Sequence, residues 1–442
     1  MSTSAASDPF ANGLFHNYAY AYPHKTAYRP FVPKPLLSDL WRDEDKRALF
    51  LYIHVPFCEM RCGFCNLFTH LRPGTSLTDG WIATLEREAE QVGLALGPDA
   101  RFARFALGGG TPTQLELPVL ERVLDVALKL GADGRELPAG VETSPETAHP
   151  EKLALLKERG VRRVSIGVQS FFNEELRALG RPQRESDVSA ALTAIRAAGF
   201  PVLNVDLIYG MDGQTEDSFR ASIDRALEVR PEELYLYPLY VRPLTGLGRR
   251  GAQTFDELRA GLYRAGRDHL LERGYAQVSM RMFRRLDQAE ASGPVYCCQS
   301  DGMVGLGPGA RSYTRGVHYS SDFAVNAHEI KGIIGGYTEW TDDDLARAHF
   351  GYRLDEDEQM RRFLIQSLLS DEGLSGEQFH ARFGSEVQER FPELSTLLSR
   401  GLAHEQSGVL RLTAEAYGAS DAIGPWLYSE TVKQKMAAYE AR

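Results

Sequence analysis

Cysteine is scarce in this chain, five residues among 442. An odd number with three close together does not suit a disulfide framework and suits a reducing compartment instead. Long apolar runs are also missing: no stretch approaches the roughly 18 uninterrupted apolar residues that a membrane helix needs. No membrane partner is therefore expected. Basic blocks are absent too, with 50 Lys and Arg against 60 Asp and Glu and a net charge of -10. Because a phosphate backbone is gripped by clustered Lys and Arg, broad nucleic-acid contact is excluded. Residues Met1 to Asp8 carry neither a basic nor an apolar leader segment, so no secretion signal is read and the cytoplasm is the expected location. There is no Gly-Lys-Ser/Thr phosphate loop, no internal repeat and no low-complexity tract. With 43% hydrophobic and 25% charged residues the composition is that of a globular protein, and the length calls for a large α/β unit plus a smaller appendage.

From Leu49 to about Tyr240 short apolar runs alternate with amphipathic ones, the signature of parallel strands joined by helical crossovers. Six strands are predicted: Leu49 to His54, Phe102 to Leu107, Gly140 to Thr143, Arg163 to Gly167, Val202 to Tyr209 and Glu233 to Tyr240. Helices are predicted over Trp81 to Gly93, Pro118 to Leu130, Pro150 to Arg159, Glu185 to Ala198 and Thr215 to Val229. An open, partial (β/α)6 barrel is the natural closure, and such barrels carry reactive groups at the C-terminal ends of their strands. After Tyr240 come a helix near Phe255 to Arg273, a strand near Ala276 to Met282 and a Gly-rich turn from Gly302 to Gly309. The tail reads as helical, with a strand pair around Leu402 to Leu412, a winged-helix-like module that packs or covers rather than reads DNA. The expected divisions are an N-terminal arm over 1–48, the barrel over 49–245, an extension over 246–354 and the C-terminal domain over 355–442. The arm, rich in Tyr18, Tyr20, Tyr22, Pro23, Tyr28, Pro30, Pro33 and Pro35, is expected to wrap the barrel.

Three of the five cysteines lie in one run, Cys58-Glu59-Met60-Arg61-Cys62-Gly63-Phe64-Cys65, directly after the first strand. Three thiolates on one short loop can face a single metal centre. A closed zinc site or a conventional iron-sulfur cluster wants four soft ligands, so three leave an iron open. The spacing thus points to a [4Fe-4S] cluster whose fourth iron binds a chelating small molecule and passes it an electron, which is radical S-adenosylmethionine (SAM) chemistry. The alternatives are a structural zinc site completed from elsewhere and three buried free thiols.

Other motifs fall on the same rim. Gly108, Gly109 and Gly110, followed by Thr111, let backbone approach a ligand closely after strand two. Glu142 and Asp206 are carboxylates in apolar strands, and each calls for a hydroxyl, an ammonium or an Arg, because unpaired burial costs several kcal/mol. Gln169 follows strand four; Arg181 lies in the loop Gly180-Arg181-Pro182-Gln183, where its fork can take a carboxylate unless it is only solvated. Arg242, Arg249, Arg250, Arg281, Arg284 and Arg285 make the post-barrel region locally basic, either a receptor for substrate carboxylates or an ordinary solvated face. Cys297-Cys298 beside the glycine turn is either a substrate-proximal thiol pair or, the reading favoured here, buried sulfur. Gly305 to Arg311 superficially fits a dinucleotide pattern, but it follows no βα start, so that reading is rejected.

Together Tyr52-Ile53-His54-Val55-Pro56-Phe57-Cys58, the CGFC ending, GGGTPT, Ser165 to Phe171, Asn204 to Gly210 and GLGPGA resemble the oxygen-independent coproporphyrinogen III oxidase family of radical SAM proteins. The resemblance runs from about Tyr18 into the tail. It implies that Cys58, Cys62 and Cys65 hold a [4Fe-4S] cluster and that Tyr52 and Phe64 contact SAM. It gives Gly109, Gly110 and Thr111 to the methionyl end, and Glu142, Gln169, Arg181 and Asp206 to the polar groups. It also implies a flavodoxin- or ferredoxin-like electron donor and a small-molecule substrate from which a 5'-deoxyadenosyl radical takes hydrogen. In that family the glycine turn lies near a second cofactor, and an apolar residue stands where this chain has Arg311, so the number of SAM molecules, one or two, stays open. The family includes porphyrinogen decarboxylases, methyl- or cyclopropane-transferring enzymes and haem chaperones. The HNxxYW-type haem signature of the chaperones is not apparent around Asn326 to Tyr337.

Overall fold

Apolar runs with a period of two build one twisted sheet. In the computed structural model the described residues are 8–16, 21–181, 183–287 and 296–440; Tyr18, Tyr20 and Pro182 lie outside them. Strands β1 (Leu49–Val55), β2 (Phe102–Gly109), β3 (Ala139–Thr143), β4 (Arg163–Gln169), β5 (Val202–Tyr209) and β6 (Glu233–Pro238) run parallel and pair in chain order. The crossovers carry helices α1 (Thr75–Leu96), α2 (Leu117–Lys129), α3 (Pro150–Glu158), α4 (Glu185–Ala197) and α5 (Glu216–Leu227). On β1 the residues Leu49, Leu51, Ile53 and Val55 are fully buried, while Phe50, Tyr52 and His54 alternate with them and point to the opposite face. The helices cover one face of the sheet, and the polar groups of the other face are left to line the site.

The sheet extends beyond the six expected strands, and the first difference lies here. Strand pair β7 (Tyr275–Gln277) and β8 (Met282–Arg285) replaces the single strand expected near Ala276 to Met282. On the other side β9 (Met303–Leu306) pairs parallel with β1, followed by antiparallel β10 (Arg311–Tyr313), β11 (Val317–Ser320), β12 (Phe350–Arg353) and the arm residues Arg29–Pro30. Half of the expected Gly302 to Gly309 turn is therefore strand. Gly305 is required inside it because a Cβ there would meet the Arg311 carbonyl oxygen at 2.2 Å. Strand β6 stops at Pro238 rather than Tyr240, as a proline cannot donate to the ladder.

The arm supplies the second difference. Tyr22, Ala27 and Tyr28 share a core with Leu364, Phe379, Ile423 and Tyr428 of the tail, so the arm is built into the C-terminal core and does not merely wrap the barrel. The Tyr22 hydroxyl donates to Glu358 on helix Glu356–Leu368, and its ring packs on Tyr428 at 4.9 Å. The tail also holds the expected strand pair, Ala403–Gln406 with Val409–Leu412, in a three-stranded sheet with Leu374–Ser375. A buried ion pair, Arg281 with Asp421, joins the barrel side to the tail, and Tyr240 donates to the same carboxylate. No helix of the described residues is long and apolar enough to cross a membrane.

Candidate cluster and cofactor site

Past Val55 the chain turns out of the sheet into the cysteine loop, which a short parallel pairing of Phe57–Cys58 with His70–Leu71 closes. Gly63 anchors its middle. Its N–H donates to the Leu179 carbonyl at 2.9 Å, its own carbonyl accepts from Leu247 N–H at 2.7 Å, and a Cβ would meet Leu179 O at 2.6 Å. Phe64 packs on the apolar cluster of Leu179, Ile208, Met211, Leu239 and Leu247. Cys62 is buried, Cys58 and Cys65 half-buried. Burial pushes the Cys58 thiol up to about 12 and raises Cys65, and the neighbouring thiols add to both.

Three thiols held this close repel one another once ionised, so their thiolates need nearby positive charge, which an iron centre would supply. The surroundings already favour thiolate: Arg181 Nη1 donates to Cys62 Sγ at 3.1 Å, and the Thr111 hydroxyl lies 3.4 Å from Cys58 Sγ. Among the described residues no group of three or more His, Cys, Asp or Glu side chains is already drawn together around a single point. Three soft thiol donors on one loop are the donor set of an iron-sulfur cluster with one iron left open, which the residues present therefore fit.

The glycines are required by the chain itself. A Cβ on Gly108 would meet the Glu142 carboxyl at 2.9 Å, on Gly109 the His54 ring at 2.5 Å and on Gly110 the Phe57 carbonyl oxygen at 2.2 Å. Backbone bonds from Gly110 N–H to Val55 O and from Thr111 N–H to Phe57 O, both 2.7 Å, lock this turn against the entry to the cysteine loop.

Glu142 accepts from Gly109 N–H at 3.0 Å. Its side chain keeps solvent access yet is surrounded by protein, and the loss of hydration raises its pKa to about 7. Asp206 accepts from Asn204 Nδ2 at 2.7 Å, and burial raises it to about 6. The expectation that each would find a hydroxyl, an ammonium or an Arg is corrected: the partners are a backbone N–H and a side-chain amide. Arg163, bonded to Glu233 at 2.8 Å, and Arg181 act on Asp206 only as nearby charges.

Gln169 sits in a bulge of β4 with φ of +69°, a conformation rare for a residue with a side chain, and it folds back over Gly167. Arg181 is buried at 8% exposure rather than solvated, because its fork is used inside: it donates to Gly167 O at 2.7 Å and Gln183 Oε1 at 2.8 Å besides Cys62. Tyr52 points inward beside Glu142 and Arg311, the charges that act on its hydroxyl.

His54 is a residue that sequence reasoning quoted without weighing. It is 5% exposed, and since Nε2 donates to the Phe68 carbonyl at 2.9 Å, Nδ1 is the bare nitrogen, 3.5 Å from the Tyr52 hydroxyl. Burial lowers its pKa to about 4, so it is a neutral strut between two glycine turns. Its signal was its place one alternation after Tyr52 on the inner face of β1.

The basic post-barrel residues do not form one receptor. Arg281 pairs with Asp421, Arg284 with Glu233, Arg285 with Glu232 and Asp287. Nor is the cysteine pair buried sulfur: Cys297 is half-buried and Cys298 exposed, each donating to Gln299 Oε1.

Comparison with known proteins decides the family. The radical SAM superfamily model matches residues 52–226, and the HemN C-terminal domain model matches residues 354–417. The heme chaperone HemW of Bacillus subtilis (strain 168) is 30% identical over 379 residues, 82% of this chain and 94% of its own. The chain belongs to the oxygen-independent coproporphyrinogen III oxidase (HemN/HemW-like) family of radical SAM proteins. The oxygen-independent coproporphyrinogen III oxidase of Pseudomonas aeruginosa is 28% identical over 434 residues, 91% of this chain and 90% of its own. The solved structure of coproporphyrinogen III oxidase from Escherichia coli, at 22% identity, superposes with a TM-score of 0.75 over 88% of this chain and 92% of that one, so the fold is shared. Membership implies a [4Fe-4S] cluster and SAM.

Proposed function

We propose that this chain is a radical SAM enzyme that removes hydrogen from an organic substrate, with a porphyrinogen as the first candidate. The observation that carries the reading is the convergence of the three-cysteine loop with Glu142, Gln169, Arg181 and Asp206 on one rim, where Arg181 reaches Cys62 directly. In this reading Cys58, Cys62 and Cys65 hold the cluster. When bound, the cluster and SAM supply a reducing electron and a 5'-deoxyadenosyl radical. The chain's own residues orient and exclude. Glu142, as carboxylate, holds the methionyl ammonium; Gly109, Gly110 and Thr111 offer backbone and hydroxyl to that end; Asp206 and Gln169 fix the polar groups of the nucleoside. Tyr52 and Phe64 wall the cofactor, and Arg181 braces a thiolate. The electron would come from a flavodoxin- or ferredoxin-like donor.

The test is anaerobic reconstitution with iron and sulfide, reduction with dithionite in the presence of SAM, and chromatography for 5'-deoxyadenosine, with Cys62→Ala beside it. Cysteine-dependent 5'-deoxyadenosine is expected; an intact, reduced cluster that leaves SAM whole refutes the reading. A second reading, a haem carrier, is favoured by the 30% identity to a heme chaperone. It requires stoichiometric haem uptake in a spectral titration, and the enzyme reading expects none.

A further inference from the structure

A cluster held by the cysteine loop must be reduced from outside the chain, and electron transfer slows steeply with distance. At Gly63, which follows Cys62 directly, the cover over the loop is thin. Three loops meet there through backbone alone: a Cβ on Gly246 would lie 3.1 Å from the Gly63 Cα, and one on Gly180 would lie 3.3 Å from it. The bonds from Gly63 N–H to Leu179 O and from Leu247 N–H to Gly63 O close the same contact. Beside it lies the guanidinium of Arg250, whose Nη2 would stand 3.1 Å from a Cβ on Gly63 and 3.1 Å from one on Gly180. Gly63 is buried, while Gly246 and Arg250 are exposed, so the contact runs from the loop to the surface.

Arg250 and its neighbour Arg249 are both exposed, and neither side chain has an ion pair or a hydrogen bond among the described residues. The loop that carries them is stiff. Thr245, fully buried, accepts from Gly248 N–H at 3.2 Å and donates to the Arg242 carbonyl at 2.7 Å, and Leu247 packs with Leu179, Ile208 and Leu239. From Leu239 to Phe255 the chain has three arginines and no Asp or Glu. The two loops that this segment meets, 57–74 and 179–184, add four arginines against the single carboxylate of Glu59, which is buried. In a chain of net charge -10 this is a locally positive window, and it opens where the wall over the cysteine loop has no side chains.

We propose that this window is the docking face of the electron donor, an acidic protein that brings its redox centre against Gly63, Gly180 and Gly246. The inference rests on the radical SAM reading and adds the place where the electron enters. A contact made of backbone lets the donor's centre come close to the cysteine loop. Arg249 and Arg250 draw in and orient a carboxylate-rich surface, an effect that raises association rates by about 10- to 1,000-fold and fades with salt. In each encounter the donor is oxidised by one electron and the cluster is reduced by one, with no proton or group transferred.

The test has two readouts on reconstituted full-length protein: the Kd for an oxidised, acidic flavodoxin, and the stopped-flow rate of cluster bleaching by the same flavodoxin fully reduced. The double variant Arg249→Glu, Arg250→Glu should weaken binding and slow bleaching by about ten-fold or more at low salt, and should lose the salt dependence of wild type. With photoreduced 5-deazariboflavin, a small uncharged reductant that needs no docking face, its rate should stay within about two-fold of wild type. Arg250→Lys, which keeps the charge, should behave as wild type, and so should Lys129→Glu, an exposed charge at the far end of α2 from the rim. An unchanged Kd and flavodoxin rate in the double variant overturn the proposal. An equal loss of rate with flavodoxin and with 5-deazariboflavin also overturns it, and gives the pair to the surroundings of the cluster instead. 5'-Deoxyadenosine formation by wild type with dithionite, read on the same sample, reports separately on the radical SAM reading.

Discussion

Glu142 offers a quantitative handle on cofactor binding. Enclosure puts its pKa at about 7, so it is roughly one-tenth ionised at pH 6 and nine-tenths at pH 8. If its carboxylate receives the methionyl ammonium, SAM affinity should fall about nine-fold, or about 1.3 kcal/mol, between pH 8 and pH 6. Asp206, at about 6, adds a further loss below that. Glu142→Gln should bind SAM about ten-fold more weakly at pH 8 and flatten the slope between pH 6 and 8. Equilibrium dialysis with labelled SAM on reconstituted protein measures both. A flat wild-type profile, or a slope that survives in Glu142→Gln, would refute the assignment of Glu142 to the ammonium.

The same carboxyl predicts an opposite trend in stability. Its pKa rises on folding from 4.5 to about 7, so the folded chain binds more protons than the unfolded one between these values. This contribution is complete below pH 4.5 and is lost as pH rises through 7. The rise corresponds to at most about 3.4 kcal/mol, and partial access of solvent to the carboxylate reduces that to about 1–2 kcal/mol. Glu142→Gln should therefore raise the urea midpoint at pH 8 while it weakens SAM. A variant that lost both would have damaged the site as a whole.

Three further outcomes follow from the packing. Gly110→Ala, whose Cβ would lie 2.2 Å from backbone oxygen of Phe57, should destabilise by about 2–3 kcal/mol and lower the iron content after reconstitution, whereas Gly251→Ala, with open space around it but φ of +71°, should cost only about 1 kcal/mol by urea melt and keep its iron. Asp421→Leu removes the buried carboxylate that Arg281 and Tyr240 share and should cost about 3–5 kcal/mol, read as a lower urea midpoint. Arg181→Leu removes the N–H···S bond to Cys62 and should make the cluster harder to reduce by on the order of 60 mV in a spectroscopic redox titration, the one-electron equivalent of about 1.4 kcal/mol; an unchanged potential would deny Arg181 its bracing role.

The partial α/β barrel was legible because each parallel strand is a short apolar run between longer amphipathic segments, and that pattern is local. The rim was legible for the same reason: Glu142, Gln169 and Asp206 are polar residues at or near the ends of such runs. What stayed hidden depends on distant partners. Gly305 reads as a turn residue until the Arg311 carbonyl is placed 2.2 Å from where its side chain would begin. Arg181 reads as a loop cation until Gly167, Gln183 and Cys62 are set around it. Tyr22 reads as one of many arm aromatics, and its partners Glu358 and Tyr428 lie more than 300 residues away. Ala27 and Tyr28 follow the same rule, since the core they enter is otherwise built from residues beyond 350.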